Sequence, residues 1–140
     1  VHKNFHLLPA PGHLAFVFAL LLAAGCSRQA PPPPENPWPE LMQLDAVAAR
    51  AEQRILAGVG RGELGELSEE LTFAIAKLLK SSPPATTTDP ERVRLLLSEL
   101  ERGLQLLNRG QSMNPDLLIR FHGLSAALMQ AAGMADLHQH

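Results

Sequence analysis

From Glu40 onward the apolar residues recur every third or fourth position, and no segment alternates apolar and polar as a half-buried strand would. Leu41, Leu44, Ala48, Ala51 and Ile55 fall on one face of a first helix. Leu64, Leu67, Leu71, Ala74 and Leu78 do the same for a second, and Val93, Leu96, Leu97, Leu100, Leu104 and Leu107 for a third. Leu117, Phe121, Leu124, Leu128 and Ala131 define a fourth. Each pattern is an apolar stripe that needs another helix to cover it.

The helix ends carry their own chemistry. Thr88-Asp89-Pro90-Glu91 reads as a capping box with proline in the first turn. Asn114-Pro115-Asp116 supplies an N-cap, a first-turn proline and an acid at the positive end of the helix dipole. Gly58 to Gly62 predicts the end of the first helix, and Asn108-Arg109-Gly110 the end of the third. Glu63, Glu66, Glu69 and Glu70 open the second helix and Lys77 and Lys80 close it, which suits the dipole and predicts a solvated acidic face. Connections of about five residues make helices one and two, and helices three and four, antiparallel neighbours. Residues 81–88, with Pro83 and Pro84, join the two hairpins. The expected fold is all-α: an antiparallel four-helix bundle of two helical hairpins over residues 40–135, with a flexible His-containing tail at 136–140.

The first 39 residues follow different rules. Leu14 to Ala24 is an apolar run of eleven residues. As a helix it would span about 16 Å at 1.5 Å per residue, about half of a bilayer's hydrocarbon core. That suits the hydrophobic region of a signal peptide. Leu22-Ala23-Ala24-Gly25-Cys26 follows directly and resembles the lipobox of bacterial lipoproteins, with Ala23 at the place where leucine is commonest. The resemblance implies that the Cys26 thiol receives a diacylglycerol. It also implies that a lipoprotein signal peptidase cuts between Gly25 and Cys26, discarding residues 1–25, and that the new amine is then acylated. Two or three acyl chains make an anchor effectively permanent, where one would be marginal. In the proteobacterial members of that class an aspartate after the cysteine favours retention in the inner membrane. In a host with two membranes the resemblance therefore implies, from Ser27, the inner leaflet of the outer membrane, with the protein facing the periplasm.

Residues 26–39 then form a linker. Six of the nine residues from Pro31 to Pro39 are proline, which disfavours helix and sheet and favours an extended polyproline path. At about 3.1 Å per residue the stretch from Ser27 would reach on the order of 40 Å.

Composition narrows the function. With 46% hydrophobic and 19% charged residues the chain is globular, and its formal net charge of −2 excludes a polycationic nucleic-acid binder. Aromatic residues are 4%, with no tyrosine, so no stacking platform for bases is expected. One cysteine excludes an internal disulfide. The sequence contains no HExxH, GxSxG, phosphate-loop or CxxC motif, and no enzyme activity and no cofactor are expected. The expectation is a non-catalytic interaction or accessory protein held to the membrane by lipid on Cys26.

Leu118, His122, Ser125 and Met129 form a stripe that flanks the core face of helix four, a candidate interface for a protein partner or a second copy. The alternative is a small periplasmic metal- or haem-binding protein. Its weak metal candidates are His122, Met129, His138 and His140. In outline the chain also resembles the haem-binding four-helix cytochromes of the periplasm, in which a methionine early in helix one faces a histidine late in helix four. Met42 and His138 would match only if helix four ran on past Gly133.

Overall fold

The computed structural model describes residues 37–134, which belong to the unit Pro33–His140. The expected signal peptide, the cysteine expected to carry lipid, most of the linker and the histidine tail lie outside the described residues. Four helices make up the domain: α1 Pro39–Leu56, α2 Arg61–Lys80, α3 Pro90–Leu106 and α4 Pro115–Ala131. No strand occurs among the described residues.

Each helix takes its bounds from local chemistry. Proline stands at the start of α1, α3 and α4, where its missing N–H costs nothing. Asn114 Oδ1 accepts from the backbone N–H groups of Asp116 and Leu117 at 3.1 and 3.4 Å, as an N-cap should. At α3 the cap is Asp89, whose carboxylate accepts from Arg92 N at 3.0 Å. Thr88, expected to open a capping box, instead donates its hydroxyl to Ala131 O at 2.9 Å, while Asp89 N donates to the same carbonyl at 3.0 Å. The start of α3 thus closes the end of α4. Arg61 already belongs to α2, so the glycine-rich turn is shorter than its sequence suggests and Gly62 lies inside the helix. After Leu106 the backbone widens through residues 107–111 and reverses at Gly110, φ +97°.

The end of α4 is a Schellman motif. Gly133, φ +78°, donates to Gln130 O at 3.1 Å, and Met134 N donates to Met129 O at 2.8 Å. Met134 is buried over this turn. The helix therefore stops before Gly133, and the continuation that would carry His138 toward a haem does not form there.

The helices pack as a ring. α1 lies between α2 and α4, α3 packs chiefly on α4, and a lighter α2–α3 contact closes the circuit. Successive helices are antiparallel, giving the up-down-up-down bundle that the short connections require. All the stripe residues expected in α2 and α4 are buried, and those of α3 are buried or partly buried. In α1 only Ile55, at the exposed end, is less than fully buried. Gly103 lets α3 and α4 come close: a Cβ there would lie 2.6 Å from Phe121 Cε1.

Trp38, inside the stretch read as linker, belongs to the core at 2% exposure. Its indole Nε1 donates to Ser81 Oγ at 2.8 Å, and Ser81 Oγ donates to Leu78 O at 2.7 Å. The start of α1 is thereby tied to the end of α2. Every buried side-chain nitrogen or oxygen among the described residues has a hydrogen-bond partner, so the bundle closes its own core.

Candidate functional site: a polar seam between the first and last helices

Three polar side chains are buried among the described residues, and two of them meet across α1 and α4. Asp45 sits on the apolar face of α1 between Leu44 and Ala48. Ser125 faces it from α4, with its Oγ 2.7 Å from Asp45 Oδ1 and 2.9 Å from His122 O. A hydroxyl has one proton to share between those two acceptors. The buried carboxylate is the stronger of them, so Ser125 donates chiefly across the seam.

Two turns along α1, Glu52 Oε2 contacts His122 Nδ1. These side chains keep 31% and 34% of their surface, so water reaches the pair and weakens it relative to the buried one. The seam is graded: dry at Asp45–Ser125 and wet at Glu52–His122.

The stripe expected to flank the core therefore lies in it. Leu118, Ser125 and Met129 are buried, and His122 is half-buried against Glu52. The physical reason is the position of α4, which packs on α1 along one flank and on α3 along the other. A helix between two neighbours needs a wide apolar face, and on α4 that face includes this stripe. It offers no free docking surface.

The same geometry bears on catalysis and metal binding. Ser125 touches the main chain of His122 and not its ring, whose Nδ1 is held by Glu52. A serine whose hydroxyl is buried against an aspartate has no path to a substrate, so the four residues form a fastening and not a nucleophile with its base. No group of three or more His, Cys, Asp or Glu side chains among the described residues is placed to hold a metal ion. Met42, which the haem alternative would need as its ligand from helix one, is 41% exposed on the outside of α1. His138 and His140 lie outside the described residues.

The acidic start of α2 has a role beyond solvation. Glu63 Oε1 accepts from Arg54 Nε at 2.6 Å, and Glu70 pairs with Arg50. With Lys77 donating to Gln43 Oε1 at 3.0 Å, these contacts run along the antiparallel α1–α2 seam. The sequence signal was present in the arginines on the α1 face next to the turn, but periodicity alone does not say which helix they meet.

No family profile, curated protein or solved structure matches the chain. No helix among the described residues is long and apolar enough to cross a membrane.

Proposed function

We propose that this chain is a lipoprotein of the bacterial cell envelope, anchored by lipid on Cys26 and presenting its helical bundle as a non-catalytic interaction or accessory domain. The observation that carries this reading is Leu22-Ala23-Ala24-Gly25-Cys26 behind an apolar run about half a bilayer long. Cleavage after Gly25 leaves Cys26 at the new N-terminus, and the proline-rich stretch after Ser27 supplies reach to the bundle. Ser27 in place of aspartate favours the inner leaflet of the outer membrane, with the bundle facing the periplasm.

The structured domain supports an interaction role. Two of its three buried polar side chains, Asp45 and Ser125, are spent on fastening α1 to α4, while Leu56, Phe73 and Leu95 stand largely in solvent. Growth of a two-membrane bacterium expressing the full chain with a clickable palmitate analogue tests the anchor. The wild-type chain takes the label and fractionates with the outer membrane. Cys26→Ser takes no label and accumulates as a longer precursor. Unchanged processing and membrane retention in that variant would overturn the proposal.

A further inference from the structure

The core stripe of α3, built on Val93, Leu100 and Leu107, leaves a second stripe facing outward on the side toward α4. Leu95, Glu99, Arg102 and Leu106 follow one another at four-three-four spacing, which keeps them on one line along the helix. Leu95 is 64% exposed and Leu106 40%, although both are large and apolar. The line spans about 16 Å at 1.5 Å per residue.

Its order is antisymmetric. Read from either end it runs leucine, charge, opposite charge, leucine, with the midpoint between Glu99 and Arg102. We infer that two copies of this domain pair antiparallel through this face of α3. A two-fold axis at the midpoint places Leu95 against the partner's Leu106, and Glu99 against the partner's Arg102, each contact occurring twice. A parallel arrangement would set Glu99 on the partner's Glu99 and Arg102 on the partner's Arg102, so the charges select the antiparallel one.

The surroundings fit a second helix. Between α3 and α4 runs a shallow groove in which Gly103 contributes no side chain and Leu117, Phe121 and Leu124 form an apolar floor. Leu106 lines it and would share it with the partner's Leu95. Glu99 accepts from Arg120 Nη2 at a loose 3.3 Å, with Arg120 largely and Glu99 partly in water, and its remaining lone pairs can take a second guanidinium. The surface involved belongs to α3, so the inference stands independently of lipidation on Cys26.

Sedimentation equilibrium on the unit Pro33–His140 tests it, since that unit closes its own core. The wild-type domain should show a reversible monomer–dimer equilibrium at concentrations up to about 0.2 mM, a range that captures weak interfaces. Glu99→Arg and Arg102→Glu each place like charges opposite one another twice and should weaken association about tenfold or more. The double variant restores both pairs and should recover the dimer. An equimolar mixture of the two single variants should form a heterodimer more readily than either variant dimerises alone. Circular dichroism checks that each variant stays helical; should Glu99→Arg lose structure with its Arg120 contact, Leu95→Glu replaces it as the weakening variant. A wild-type domain that stays monomeric overturns the inference. So does a dimer indifferent to the single changes, or one that neither the double variant nor the mixture restores.

Discussion

The hydroxyl of Ser125 lies 2.7 Å from the Asp45 carboxylate across the α1–α4 seam, and both side chains are closed off from solvent. Removing the serine takes one donor from a buried carboxylate, whereas removing both polar groups leaves neither half of that bond behind. Ser125→Ala should therefore cost about 1–3 kcal/mol of stability, and Asp45→Ala a similar amount. Urea titrations of the two single variants and the double variant read the coupling directly. The double variant should lose less than the sum of the singles. Strict additivity would show that the bond contributes nothing beyond its two side chains.

Gly103 and Phe121 make a second prediction. Alanine normally stabilises a helix interior over glycine by roughly 1 kcal/mol. At position 103 the new Cβ would meet the Phe121 ring at 2.6 Å, and a fully buried ring between two helices has little room to yield. Overpacking of that kind costs about 1–3 kcal/mol, so Gly103→Ala should lower the thermal midpoint. Gly123, exposed on α4 with nothing within 4 Å of where a Cβ would stand, is the control: Gly123→Ala should raise it. Phe121→Leu in the Gly103→Ala background should regain part of the loss that the methyl causes.

Much of this architecture was legible in the sequence because helix periodicity, proline at helix starts and glycine at helix ends are local signals. Asn114 caps α4 and Gly110 reverses the chain after α3 as their residue types dictate. What local signals do not carry is which face meets which helix. Leu118, Ser125 and Met129 sit beside the main stripe of α4, and only the flanking position of α1 turns them inward. Thr88 has the chemistry of a cap but is drawn to the α4 terminus, because the end of that helix lies beside the start of α3. Asp45 shares a face with Leu41, Leu44 and Ala48, so its burial could have been read from periodicity; its partner, 80 residues away in α4, could not. The lipobox, which bears on anchoring, and the histidine tail lie outside the described residues and stand on the sequence alone.

Trp38 is the sole tryptophan, and its place in the core makes the junction between linker and bundle visible. Its emission should be blue-shifted in the native unit Pro33–His140 and move to longer wavelength on unfolding, in step with the loss of helix. Trp38→Ala removes a large buried ring and should cost about 3–5 kcal/mol. Ser81→Ala removes the acceptor of the indole N–H together with the hydroxyl's bond to Leu78 O and should cost about 1 kcal/mol, with the emission still blue-shifted. Red-shifted emission from the native wild-type domain would contradict the burial of the ring.

The charged contacts of the domain should respond to salt according to their exposure. Arg54–Glu63 is reached by water, so it is worth less than about 1 kcal/mol and is screened as ionic strength rises. Asp45–Ser125 has no such access, and its hydroxyl carries no charge to be screened. Double-mutant cycles at low and high sodium chloride separate the two cases. The coupling between Arg54 and Glu63 should shrink in salt, while that between Asp45 and Ser125 should hold. If the Asp45–Ser125 coupling fell with salt as steeply as the exposed one, the seam would have to be open to water in solution, and the closed packing of α4 on α1 would be wrong at that point.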